Sequence, residues 1–264
     1  MSMIEERDYA VAATIGTRRR QEDCSGVDDQ LPMLAEGAPG LLAIVADGMG
    51  GAPAGDQAGH IVVNGFLESF FSSPLRAAAD RLRSALVCAN EILASVVRER
   101  PGDFQGTDGI PAGCTLIAAL FFQDHFCWIS VGDSYIFRFR ADSLELINPL
   151  HVFAVDLDEK VRRKEISIEF ARNHPDRASL TSAVCGGTIA EIDQGSESLL
   201  ANDILLLCTD GIDTLDESEV TEICQFRGAS ARDIAETIIE RVNAARRKAQ
   251  DNATVFVIRR GVYA

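Results

Sequence analysis

The amino-acid sequence predicts an α+β domain built in layers, with helices and antiparallel strands each burying a face. Three observations carry this. Short apolar runs rich in branched residues recur between turn-forming residues, and helical periodicity occupies three longer stretches. No Pro/Gly/Ser-rich linker, internal repeat or low-complexity tract divides the 264 residues, so residues 1–264 read as one domain.

The first strand is expected at Tyr9–Ile15 and the next at Leu41–Ala46. Helical spacing of apolar residues then runs from Ala58 to Phe71 and from Leu75 to Arg100. Three strand-like runs follow, Thr115–Phe122, His125–Val131 and Tyr135–Arg140, separated only by Gln123–Asp124 and by Gly132–Asp133–Ser134. Breaks of that size predict an antiparallel meander through 115–140. Residues 148–179 carry Pro149, a dense run of charges from Asp156 to Glu169, and Pro175, with little strand signal. An exposed, helical, flap-like insertion is expected there. Ile204–Cys208 and Thr254–Ile258 read as strands, and Ala231 to Ala249 as a helix with Ser230 as N-cap and Ile234, Ile238 and Val242 as its apolar stripe.

Composition narrows the function. Hydrophobic residues at 47% and charged residues at 25% exclude wholesale disorder and a fibrous repeat. The balance of 25 Lys+Arg against 40 Asp+Glu gives a net charge of −15, a field that repels a phosphodiester backbone or an anionic membrane. No nucleic acid and no membrane partner is therefore expected. The start, MSMIEERDYA, lacks the basic and apolar regions of a signal peptide, and no apolar run approaches the ~18 residues of a membrane span, so a cytoplasmic protein is expected. Seven cysteines (Cys24, Cys88, Cys114, Cys127, Cys185, Cys208, Cys224) form no CxxC pair and read as buried, reduced thiols.

Four short patterns share one logic, an aspartate next to Gly or Asn at the end of an apolar strand. They are Asp47-Gly48 after Ile44-Val45-Ala46, Asp133 after Ser130-Val131-Gly132, Asp210-Gly211 after Leu206-Leu207-Cys208-Thr209, and Asp251-Asn252 before the last strand. Taken singly, each is an ordinary turn former. Taken together on one sheet rim, they would make an oxygen-rich cluster suited to Mg²⁺ or Mn²⁺, with Gly letting the backbone approach a ligand. Upstream, Gly16 to Asp23 adds adjacent carboxylates, Glu22 and Asp23, and three arginines, Arg18, Arg19 and Arg20. A guanidinium beside such a cluster can grip a phosphate in a bidentate fork.

In order and spacing these residues resemble the metal-dependent serine/threonine protein phosphatases of type 2C (the PPM family), bacterial type. The family's Arg-x-x-x-Glu-Asp is matched by Arg18 to Asp23, and its Asp-Gly-Met-Gly-Gly by Asp47 to Gly51. Gly113-Cys114-Thr115 stands for its Gly-[Ser/Thr]-Thr. Gly132-Asp133-Ser134, Asp210-Gly211 and Asp251 to Thr254 complete the set. The resemblance spans about residues 8 to 260. It implies a four-layer α-β-β-α sandwich with two antiparallel sheets and a metal centre at the sheet rim.

It also implies a site. Two Mn²⁺ or Mg²⁺ ions would fall on Asp23, Asp47, the carbonyl of Gly48, Asp210 and Asp251, with Glu22 acting through a bound water. Arg18 would take the substrate phosphate, and an optional third metal would involve Asp108 with Asp210. Hydrolysis of phosphoserine and phosphothreonine in proteins would proceed by attack of a water bridging two metals, without a covalent enzyme intermediate. Asp133 and Ser134 are expected to buttress the rim. The implied partners are phosphoprotein substrates of a serine/threonine kinase, with the chain a monomer.

Three departures matter. Met49 stands where some eukaryotic members carry His, leaving no evident side-chain general acid. Cys114 replaces the middle Ser/Thr of its motif and is expected to face the core. The family's Thr-x-Asp-His-Ser is degraded to Asn148-Pro149-Leu150-His151-Val152, where His151 keeps at most a structural role. No cysteine sits in a Cys-x₅-Arg-like phosphate cradle, against a thiol-based phosphatase. The alternatives are a catalytically silent phosphoprotein-binding module of the same fold and a hydrolase of small phosphoesters.

Overall fold

A strand covered on both faces must be apolar at every position, and Leu41–Ala46, LLAIVA, meets that demand. A computed structural model describes residues 3–49, 54–104, 112–226 and 228–260. Its strands are β1 (Tyr9–Thr14), β2 (Cys24–Asp28), β3 (Leu41–Ala46), β4 (Gly48–Met49), β5 (Gly113–Cys114), β6 (Leu116–Phe121), β7 (His125–Val131), β8 (Tyr135–Arg140), β9 (Ser143–Leu146), β10 (Asp193–Ser198), β11 (Ile204–Cys208) and β12 (Ala253–Arg259). The helices are α1 (Ala54–Ser72), α2 (Ala78–Glu99), α3 (Phe153–Arg162), α4 (Ile168–Arg172), α5 (Glu217–Cys224) and α6 (Ala231–Ala244).

One sheet has the order β1-β12-β11-β8-β9 and the other β10-β7-β6-β3-β2, with every pairing antiparallel. Alternate residues of β3 serve different cores. Leu42, Ile44 and Ala46 join the layer with Phe66, Phe70, Leu82 and Leu86 of α1 and α2. Leu41, Ala43 and Val45 join the layer between the sheets with Leu205, Leu207 and Phe256. On the far side, Ile234, Ile238 and Val242 of α6 cover Leu206, Val255 and Val257. Each fully buried Leu, Ile, Val or Phe among them contributes about 1.5–3 kcal/mol relative to exposure. The layers are thus helices, sheet, sheet, helices, as the resemblance implies.

The expected elements shift in detail. Helix α1 begins at Ala54 rather than Ala58, α2 at Ala78 rather than Leu75, and α6 ends at Ala244 rather than Ala249. The meander through 115–140 is incorrect beyond its first hairpin. β6 and β7 pair, but β8 leaves for the other sheet and pairs with β11 and β9. Gly132 makes this crossover with φ +99°, a conformation open to glycine, and a Cβ there would lie 2.6 Å from Thr115. Five strands gave no apolar signal. β10, DQGSES, is the plainest: it is an edge strand held to β7 by backbone pairing, with Gly195 packed under Trp128. Helix α5 went unanticipated, although Asp216 and Glu219 form its capping box.

Residues 148–179 hold α3 and α4, whose only buried residues are Leu157 and Ala171. All seven cysteines are free, and Cys114 is fully buried as expected. Burial pushes the Cys24 thiol up to about 11 and the Cys114 thiol higher still, which makes both inert as nucleophiles. Among the described residues no helix is long and apolar enough to cross a membrane.

Candidate active site

The sheet registers bring the strand-end aspartates to one rim. Cys24 pairs with Ala46, so Asp23 enters β2 where Asp47 leaves β3. Cys208 pairs with Val255, so Asp210 leaves β11 near the point where Asp251 leads into β12. Hydrogen bonds then join the two sheets. Thr209 and Thr254 donate their hydroxyls to Asp23 Oδ2 at 2.9 Å and 2.7 Å. The other oxygen of the same carboxyl, Asp23 Oδ1, is buried without a partner. A buried orphan oxygen costs free energy, which makes it a sign of an interaction still to be made.

The other residues are fixed by backbone bonds. Asp47 exchanges bonds with Thr115, its N–H donating to Thr115 Oγ1 at 3.0 Å and its carbonyl accepting the Thr115 N–H at 2.9 Å. Thr115 Oγ1 bonds Ser134 Oγ at 2.7 Å, so Ser134 buttresses the rim. Gly48 donates to the Glu22 carbonyl at 3.2 Å, and a Cβ on Gly48 would lie 2.6 Å from that oxygen. Asn252 clasps the arginine turn: its Oδ1 accepts the Glu22 N–H at 2.8 Å, and its Nδ2 donates to the Ile15 and Arg20 carbonyls, both at 2.9 Å. Arg18 forms an ion pair with Asp251, and Arg20 lies 3.7 Å from Asp56.

Electrostatically the rim is short of positive charge. Burial pushes Asp23 up to about 7, with Asp210 and Asp251 adding repulsion against the two threonine bonds. Burial and the charges of Asp23 and Asp210 hold Asp47 well above the carboxylate range. Burial and Asp251 raise Asp210, burial and Asp210 push Asp133 up to about 7, and burial raises Glu22 against the pull of Arg18. A divalent cation relieves such repulsion. Among the described residues no three His, Cys, Asp or Glu side chains converge as a ready cation cage. The fit to hard cations therefore lies in the donor chemistry, in the orphaned Asp23 Oδ1 and in the excess negative charge, with Arg18 serving Asp251 as counter-ion.

A family profile described as protein phosphatase 2C matches residues 15–250. The chain belongs to the protein phosphatase 2C family. It is 29% identical over 225 residues to the serine/threonine phosphatase stp of Listeria innocua serovar 6a, covering 84% of this chain and 85% of that one. The crystal structure of the Mycobacterium tuberculosis serine/threonine phosphatase PstP/Ppp superposes with a TM-score of 0.76 at 26% identity, over 96% of this chain and 98% of that one. A structure of the PstP catalytic domain in complex with two manganese ions gives 0.73 at 26% identity, over 94% and 96%.

In this phosphatase Arg18, Glu22, Asp23, Asp47, Gly48, Asp210 and Asp251 gather at one rim through the contacts above. Asp108 lies outside the described residues, as do Gly50 and Gly51 of the glycine motif. Met49 sits in β4, paired with Gly113. His151 is buried: Nδ1 accepts the Gly132 N–H at 3.0 Å, which puts the proton on Nε2 for Asp193 Oδ2 at 2.7 Å. It thereby ties residues 148–179 to the rim crossover and to β10. Sequence reasoning missed Thr209, Gln250 and Asp213. Asp213 follows Asp210 within the 3₁₀ turn Asp210–Thr214, and its Oδ2 accepts the Tyr135 hydroxyl at 2.8 Å. The spacing of Asp210 and Asp213 was the available signal.

Proposed function

We propose that this rim hydrolyses phosphoserine and phosphothreonine in proteins, with Asp23, Asp47, the Gly48 carbonyl, Asp210 and Asp251 holding two Mn²⁺ or Mg²⁺ ions and Glu22 acting through water. The observation that carries the reading is Asp23, oriented by two threonine hydroxyls on one oxygen while the other is buried without a partner. When bound, the two cations supply an activated water at neutral pH and neutralise the phosphoryl charge.

The chain's own residues do the rest. Thr209 and Thr254 fix the carboxyl plane of Asp23, so its free oxygen needs no reorganisation on binding a cation. Gly48 and Gly211 let backbone pack where no Cβ fits; a Cβ on Gly211 would lie 1.8 Å from the Asn252 carbonyl oxygen. Arg18, half-exposed and paired with Asp251, would be free to grip the substrate phosphate where cations neutralise that carboxylate. Neither a cysteine nucleophile nor a side-chain acid at position 49 takes part. The substrates are phosphoproteins, and a serine/threonine kinase supplies them; the chain acts as a cytoplasmic monomer. Residues 148–179 form a recognition flap beside the rim. The test is release of phosphate from a phosphothreonine peptide compared with a small phosphometabolite: a strong preference for the peptide supports the protein substrate, and the reverse preference moves the activity to small phosphoesters.

A further inference from the structure

Gln250 lies one residue before the Asp251–Thr254 motif and is buried, although an amide is costly to bury unless its bonds are made. Its bonds reach two distant segments and its own neighbour. Nε2 donates to the Gly211 carbonyl at 3.0 Å and to the Asp251 carbonyl at 3.2 Å, and Oε1 accepts the Thr214 hydroxyl. Its own carbonyl accepts the Thr17 N–H at 2.9 Å and the Thr17 hydroxyl at 3.0 Å. Gly16 closes on the same residue with φ +59°; a Cβ there would lie 2.6 Å from the Gln250 carbonyl oxygen and 2.9 Å from Cγ. The side-chain bonds thus join the turn that carries Asp210 to Asp251, while the turn that carries Arg18 is held by the main-chain carbonyl.

We propose that Gln250 is a positioning residue for the phosphatase reaction, its side-chain amide holding the Asp210 turn and Asp251 in one register. This rests on the reading of the rim as a two-metal phosphatase site. The chemistry of the side chain is specific. Glutamate would face two carbonyls with an acceptor, asparagine is one methylene short, and methionine fills the space with no bond. Partners that orient ligand-bearing residues in this way govern metal affinity as well as rate. A residue that merely held the fold together would instead change melting temperature alone.

The test uses the full chain as wild type, Gln250→Met, Gln250→Glu and Thr214→Val. Val242→Ala, in the α6 layer, serves as a destabilised control away from the rim. Mn²⁺ binding is measured by calorimetry without substrate, alongside kcat and KM for an aryl phosphate and the melting temperature. Both Gln250 variants are expected to bind Mn²⁺ about tenfold or more weakly, with a matching fall in kcat. Thr214→Val removes only the bond to Oε1 and should show about a threefold loss in the same direction, which keeps the inference testable if a Gln250 variant fails to fold. Val242→Ala should melt lower with wild-type Mn²⁺ affinity. Wild-type Mn²⁺ affinity and kcat in the folded variants would overturn the role of Gln250 alone. A wild-type chain that neither binds Mn²⁺ nor hydrolyses the ester would overturn the two-metal reading, and this inference with it.

Discussion

The rim and the neighbouring residues 148–182 are held by opposite kinds of bond. At the rim the partners come from distant parts of the chain and are largely buried: Thr254 on Asp23, Asn252 on Glu22, Gln250 on Gly211. In α3, α4 and the loop after them the bonds are local and exposed, as between Arg163 and Glu159 and between Arg177 and Asp158. That segment meets the scaffold at a few points, among them His151 on Gly132 and Ser182 on Glu191. The difference teaches where tolerance lies. The rim residues are fixed from several sides, whereas the exposed segment is hung from a few anchors and can change.

The largest effect is expected from Asp47→Asn or Asp210→Asn, which should abolish turnover of a phosphopeptide at saturating Mn²⁺. The same changes should leave the melting temperature in EDTA unchanged or higher, because each removes one charge from a mutually repelling set. A near-normal rate would place the chemistry elsewhere.

Next comes pH. Asp23 and Asp133 are pushed up to about 7 in the folded chain, above their ordinary unfolded value. A carboxyl raised on folding binds its proton more tightly in the native state, so its stabilisation is full below about pH 4 and is lost as pH rises through about 7. The metal-free protein should therefore melt progressively lower from about pH 4 to 7 on account of these groups, and saturating Mn²⁺ should flatten that slope. Denaturation curves in EDTA and in Mn²⁺ check both; a slope that Mn²⁺ leaves untouched would separate these carboxyls from the metals.

Arg18→Ala should raise KM for a phosphopeptide by about tenfold while changing kcat less, since a charge-assisted bond to phosphate is present before and during reaction. If Arg19→Ala or Arg20→Ala reproduces the effect instead, the register of the turn is wrong.

The smallest effects belong to the exposed segment. Arg177→Ala should cost under about 1 kcal/mol, as surface ion pairs do, and leave aryl phosphate hydrolysis unchanged. Exchanging residues 149–179 for another sequence should reorder kcat/KM among phosphopeptides with little change on the aryl phosphate. Parallel loss on both would make the segment part of the scaffold and erase the contrast with the rim.

Much of this was legible because buried strands and short-range motifs write themselves into sequence. β3, β6 and β11 are continuous apolar runs and β7 is largely apolar, and the rim aspartates follow β3, β7 and β11. Edge strand β10 was illegible because backbone pairing needs no apolar side chain. The crossing of β8 to the second sheet was illegible because a three-residue link reads alike whether it closes a hairpin or changes sheet. At the site, Asp23, Asp47, Asp210 and Asp251 stood out through their Gly and Asn neighbours. Thr209 and Gln250 act through bonds to residues far away in sequence, and no local pattern marks them.

The most direct measurement is phosphate release from a phosphothreonine peptide by the full chain after exhaustive chelation, followed by addition of Mn²⁺ or Mg²⁺ in parallel. A rim of oxygen donors with no thiolate or imidazole among them predicts no turnover in EDTA and recovery with either ion. Turnover that persists after chelation would contradict metal-dependent catalysis at these aspartates.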